Sequence, residues 1–261
     1  MTVLAFDDTG GGRTALLLVH GFTLDRHLWD DVVPALAADI RVVCPDLRGF
    51  GESPPPIEGA PYTHADDLVA LLDECGIDDV VIVGLSMGGW VALEFTLTYP
   101  ARVRGLVLVD AMLREHPFPY GWNKNIGAVY RCGRQHGRDA AIALWLDDEI
   151  FAFERSRPDL AARLPALVAR YEGFHLLHDD PHPRLHPPAV ERLAEIAVPT
   201  LVIVGDHDLP DFHAMATTLS TNIAGAAHLV MPNAGHLAYL ASPAEFVDLL
   251  RQFLQKVAAP H

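Results

Sequence analysis

Val80-Val81-Ile82-Val83-Gly84-Leu85-Ser86-Met87-Gly88-Gly89 joins an aliphatic run to a glycine-rich turn around one serine. Four β-branched residues end on a Gly-x-Ser-x-Gly-Gly turn, and a helical pattern over residues 87–98 begins at once. Strand, sharp turn and helix in that order are the context in which Gly-x-Ser-x-Gly presents a nucleophilic serine. Glycines at 84 and 88 leave room for a reversal that side chains would obstruct. Ser86 then stands at a helix N-terminus, whose free N–H groups favour developing negative charge, with Met87 N–H as one oxyanion donor. The competing reading is a glycine-rich helix start with a capping serine.

Working outward, short aliphatic runs at 15–19, 40–44, 80–83, 103–109, 200–204 and 227–231 predict buried strands. Helical spacing predicts helices at 65–75, 87–98, 212–222 and about 243–257. Such alternation implies an α/β fold, a mostly parallel sheet covered by helices on both faces. The rhythm breaks from 112 to 197, where no strand is predicted. That segment reads as an inserted helical cap, with residues 1–111 and 198–261 forming the core of a single domain. The cap aromatics, Trp122, Tyr130 and Trp145 among them, either line a binding cavity or pack the cap onto the core.

At 261 residues and 50% hydrophobic composition the chain can bury one large core. A formal charge of −15 with no basic stripe argues against nucleic acid and anionic membrane surfaces as partners. The apolar run at 15–19 is too short to cross a bilayer, and the acidic segment before it lacks the basic region of a signal peptide. Cys44, Cys75 and Cys132 are too few and too widely spaced for a disulfide framework, so a cytoplasmic location is expected. No feature sets an oligomeric state.

Serine needs a base to take its proton and a carboxylate to orient that base. Of fourteen histidines, His236 in Asn233-Ala234-Gly235-His236 follows the last predicted strand and precedes the final helix, at the same sheet edge as Ser86. Gly205-Asp206-His207-Asp208 follows the strand before it, giving the chain order Ser, Asp, His. His20-Gly21-Phe22 follows the strand at 15–19 and offers Phe22 N–H as the second oxyanion donor, with His20 a structural residue of that loop. His175, His178, His182 and His186 are closely spaced, but Pro181, Pro183, Pro187 and Pro188 break the helix that would align them. No metal site is therefore expected.

Taken together, Gly84 to Gly89, His20 to Phe22, Asp46-Leu47-Arg48-Gly49-Phe50-Gly51-Glu52-Ser53 and Gly235-His236 resemble the α/β-hydrolase superfamily over nearly the whole chain outside the cap. The resemblance implies that the acid closes a Gly-x-x-Asp turn, which is Asp208 here. Asp110, after the preceding core strand, is the alternative, ahead of Asp206. Asp46 and Arg48 match a loop that is structural in the family. Gly-Leu-Ser-Met-Gly-Gly and Asp208-Leu209-Pro210-Asp211-Phe212-His213 are similar to members grouped with the 3-oxoadipate enol-lactonases.

The expected activity is cofactor-free cleavage of a small carboxylic ester or lactone by Ser86, His236 and Asp208. The rivals are a C–C bond hydrolase acting on a diketone-like substrate and a hydrolase-like receptor for a small ligand. Dehalogenases and epoxide hydrolases are disfavoured, since they carry an aspartate at the position of Ser86. An anionic substrate would need a local clamp against the net charge. Arg131, with Arg134 and Arg138 at helical spacing, either supplies it or is a solvated face.

Overall fold

A computed structural model of the chain describes residues 4–12, 14–57 and 59–258. Seven strands form one sheet: β1 (Phe6–Asp8), β2 (Ala15–Val19), β3 (Arg41–Pro45), β4 (Val80–Leu85), β5 (Val103–Val109), β6 (Thr200–Gly205) and β7 (Ala227–Met231), in the spatial order β1-β3-β2-β4-β5-β6-β7. From β3 to β7 every neighbouring pair is parallel, while β1 runs antiparallel along β3 with Phe6 opposite Pro45. β2, β4 and β6 are buried at every residue. Helices cover both faces there, which is why these strands read as continuous apolar runs rather than alternating ones. β7, at the sheet edge, is mostly exposed. β1 has no counterpart in the sequence reading, because three residues that include two aspartates carry no apolar run; pairing along β3 makes it a strand.

The principal helices are α1 (His64–Glu74), α2 (Met87–Thr98), α3 (Trp122–His136), α4 (Arg138–Leu146), α5 (Pro210–Asn222) and α6 (Pro243–Ala258). Thr63 caps α1 by accepting the Asp66 N–H at 3.0 Å. α2 is buried from Met87 to Leu97, and its sequence is correspondingly apolar on all sides. α6 instead buries one stripe, Phe246, Val247, Leu250, Phe253 and Leu254. Between β5 and β6 the chain carries only helices and loops, with α3 and α4 followed by short turns. Among the described residues, no helix is long and apolar enough to cross a membrane.

Parallel pairing brings the C-terminal ends of β4, β5, β6 and β7 to one edge, with Leu85 opposite Val109 and Gly205 opposite Met231. The loops that leave this edge carry Ser86, Asp110, Asp208 and His236, the arrangement in which open α/β sheets place their ligands.

Candidate active site

Ser86 terminates β4 with φ 53° and ψ −111°, a conformation that a side chain adopts only under constraint. The constraint is visible in its neighbours. A Cβ at Gly84 would land on the Gly88 carbonyl, and one at Gly88 on the Val19 carbonyl. The turn therefore closes only with glycine at both positions, and Ser86 N–H is fixed by the Val109 carbonyl at 2.9 Å. The loops after β6 and β7 are hydrogen-bonded to each other, Asp206 N–H to Met231 O and His207 N–H to Ala234 O, each at 2.9 Å. This pairing carries Asp208 and His236 together. His236 Nε2 lies 2.9 Å from Ser86 Oγ, and His236 Nδ1 lies 2.9 Å from Asp208 Oδ2. Both the His236 and Asp208 side chains are buried.

Ser86 opens into a cavity of about 500 Å³ between the sheet edge and residues 112–197. Phe22 and Met87 line it beside Ser86. A Cβ at Gly21 would lie 3.5 Å from the Ser86 Cβ, so the Gly21-Phe22 peptide is held against the serine. Trp122, Tyr130 and Trp145 also line the cavity. Trp122 and Trp145 tie it together as well: Trp122 Nε1–H donates to Asp148 Oδ1 at 3.1 Å, and Trp145 Nε1–H donates to Thr23 Oγ1 at 2.9 Å.

Arg131 is corrected by the structure, for it is exposed and stands off the cavity. The face that α3 turns inward is Trp122, Ile126, Tyr130 and Arg134, one residue every four. Arg131 follows Tyr130 by one position, about 100° round the helix. Arg138 is structural, its Nε–H donating to the Tyr171 carbonyl at 2.8 Å.

A family model described as the alpha/beta hydrolase fold matches residues 14–243. The chain belongs to the α/β-hydrolase family. This α/β-hydrolase is 32% identical over 266 residues to 2-hydroxymuconate semialdehyde hydrolase of Pseudomonas sp. (strain CF600), covering 97% of this chain and 90% of that protein. Among solved structures it is similar to a thermophilic esterase from Thermogutta terrifontis, with TM-score 0.81, 32% identity, and coverage of 98% and 94% of the two chains. It is also similar to an N-acyl homoserine lactone degrading enzyme, with TM-score 0.76, 28% identity and 96% coverage of each chain.

Two further buried carboxyls surround the hydrolase's His236. Asp110 Oδ1 accepts the Gly205 N–H at 2.8 Å and its Oδ2 the Ala238 N–H at 3.2 Å. Glu154 Oε1 accepts the Leu237 N–H at 3.0 Å. The two amides that follow His236 are thus each held by a different acid. Burial, and then the Asp208 charge, push the Asp110 carboxyl well above the carboxylate range. Burial raises Asp208 well above 3.8 too, outweighing the Leu209 N–H and the hydrogen bond to Asp110, which act to lower it. Asp208 Oδ2, 2.9 Å from His236 Nδ1, is the acceptor for its N–H. Burial also raises Glu154, whose Oε2 has no hydrogen-bond partner among the described residues. His20 Nε2 accepts the Leu47 N–H at 2.9 Å, so its Nδ1–H donates to the Gly21 carbonyl at 2.8 Å. This ring holds the Phe22 loop.

Sequence reasoning missed His64, Trp90, Arg114 and Asp180 of the cavity wall. They come from separate segments and carry no shared motif; only the position of Trp90, one turn after Ser86 on α2, could have signalled it. His175 and His182 are buried among rings, His175 stacked on Phe50 at 4.5 Å and His182 on His64 at 4.9 Å.

Proposed function

We propose that this α/β-hydrolase cleaves a small carboxylic ester or lactone through an acyl-enzyme on Ser86. The observation that carries the reading is the continuous chain from Ser86 Oγ through both His236 nitrogens to Asp208, each link 2.9 Å long. His236 Nε2 takes the Ser86 proton as Oγ attacks the carbonyl carbon, and Asp208 stabilises the imidazolium that forms. The Phe22 and Met87 N–H groups hold the tetrahedral oxyanion. His236 then gives its proton to the departing alkoxide, or to the opened end of a lactone. Water, deprotonated by the same nitrogen, releases the acid and restores Ser86.

No cofactor enters these steps. The similarity to an esterase and to a lactone-degrading enzyme supports the substrate class. Free thiols at Cys44, Cys75 and Cys132 suit a cytoplasmic location.

A second reading, C–C bond cleavage of a diketone-like substrate by the same residues, is favoured by the 32% identity to 2-hydroxymuconate semialdehyde hydrolase. The test is turnover of a p-nitrophenyl ester, with fluorophosphonate labelling of Ser86 as control. Ser86→Ala is expected to lose labelling and to lower kcat by about 10⁴-fold or more while keeping the native circular dichroism spectrum. Undiminished turnover in that variant would end the assignment. Robust labelling without ester, lactone or thioester turnover, together with cleavage of a vinylogous diketone, would favour the second reading.

A further inference from the structure

The cavity has a polar end as well as a reactive one. Met112 N–H donates to the Ser86 carbonyl at 3.0 Å, and Trp90 N–H donates to the same oxygen at 3.3 Å. Arg114 lies two residues beyond Met112, a step of at most about 7 Å of chain. Its guanidinium covers the Trp90 ring at 4.3 Å. Arg114 Nη1 is buried with no hydrogen-bond partner among the described residues, and its ion-pair neighbour, Glu94 Oε1, stands 3.7 Å away, beyond hydrogen-bond reach. His64 borders the same indole at 5.8 Å between ring centres, and its buried Nδ1 also has no partner among the described residues.

The other charges of this wall are engaged. Arg134 Nη2–H donates to Asp179 Oδ1 at 2.7 Å. Asp180 Oδ1 accepts the Tyr62 hydroxyl and the His182 N–H, both at 3.1 Å. Arg114 and His64 both line the cavity, and each keeps one buried side-chain nitrogen, Nη1 and Nδ1, without a protein partner among the described residues, an unmet capacity that a ligand oxygen would fill. With Arg134 paired to Asp179, Arg114 is the remaining guanidinium of the wall, and on a chain of net charge −15 it suits one negative charge and not two.

We propose that Arg114 and His64 form a carboxylate-binding subsite at the Trp90 end of the cavity, so that the preferred substrate is a short ester or lactone bearing one carboxylate a few atoms from the scissile carbonyl. The substrate part of this inference rests on the reading of Ser86 as nucleophile; the subsite itself does not.

Monomethyl glutarate, a carboxylate at neutral pH, and dimethyl glutarate, its neutral counterpart, separate the two. Wild-type protein is expected to favour the monoester at least tenfold in kcat/KM, mainly through KM. Arg114→Gln is expected to lower that ratio at least tenfold, with Arg114→Lys recovering part of it. No preference in the wild type, or an unchanged ratio in Arg114→Gln, overturns the subsite while leaving ester hydrolysis standing. Calorimetry on Ser86→Ala protein reads binding alone. Monomethyl glutarate is expected to bind at least tenfold more tightly than dimethyl glutarate, and at least tenfold more weakly once Arg114→Gln is added. Equal binding of the two esters overturns the subsite even if Arg114→Gln does not fold. Selective binding without turnover by the wild type would keep the subsite and remove the esterase reading.

Discussion

His236 sits where burial and charge oppose each other. Burial lowers its pKa below 6.5 and outweighs the neighbouring carboxyls Asp110, Glu154 and Asp148, which act to raise it. The ring is therefore neutral at pH 7, with Nε2 free to accept the Ser86 proton. A base must be deprotonated to work, so kcat/KM on a neutral ester should fall as the pH drops through an inflection below 6.5 and stay level through neutrality. A pH–rate profile inflecting above 6.5 would contradict this balance. Asp110 is the second residue with a distinct signature. Asp110→Ala leaves the Gly205 and Ala238 N–H groups without their acceptor and should cost about 3 kcal/mol in urea unfolding. Asp110→Asn keeps one of the two acceptors, and should cost about 1 kcal/mol. Its kcat should lie between those of Asp110→Ala and the wild type.

At the scale of the element, the β4-turn-α2 unit is legible in the sequence because its constraint is local. Two glycines, a serine and a buried strand lie within ten residues, and the strained backbone at Ser86 follows from how closely the Gly84 and Gly88 backbones approach their neighbours. Gly84→Ala would force a methyl onto the Gly88 carbonyl, which rigid backbone cannot evade. We expect a loss of about 3 kcal/mol or more, seen in the urea midpoint or as insoluble expression. Wild-type stability for that variant would mean that the turn can open. α3 teaches the opposite lesson. Its spacing identifies a helix, but arginines at 131 and 134, with Arg138 beyond them at the start of α4, leave its rotation about its own axis undetermined. Packing against α4 and the turn Phe174–Leu177 sets that rotation, bringing Tyr130 and Arg134 into the cavity and leaving Arg131 in solvent.

At the scale of the whole molecule, residues 112–197 are fastened to the sheet edge by polar ties from separate points. Trp145 reaches Thr23, Glu154 reaches Leu237 N–H, and Arg170 grips Asp25 with both ends of its guanidinium, at 2.7 and 2.9 Å. Burial pushes the Asp25 carboxyl up, but the Arg170 hydrogen bonds and the His27 N–H outweigh it and hold the group below 3.8. A lowered carboxyl pKa stabilises the fold above 3.8, and that stability disappears as the pH falls through the folded value. Arg170→Ala should accordingly cost about 1–2 kcal/mol at pH 7, tempered by the half-exposed guanidinium. The difference from wild type should shrink as the pH is lowered past 3.8; a gap in unfolding free energy independent of pH would place the effect elsewhere. Strand order along the chain, the nucleophile turn, and the succession of Ser86, Asp208 and His236 were likewise legible in the sequence, because apolar periodicity and turn chemistry act over a few neighbouring residues. The partnership of Asp110 with Asp208, the hold of Glu154 on the His236 loop, and the meeting of His64, Trp90 and Arg114 at one end of the cavity were decided only by the tertiary structure. Each joins segments far apart in the chain, and a residue's own neighbours in sequence carry no record of what lies across a packed interface from it.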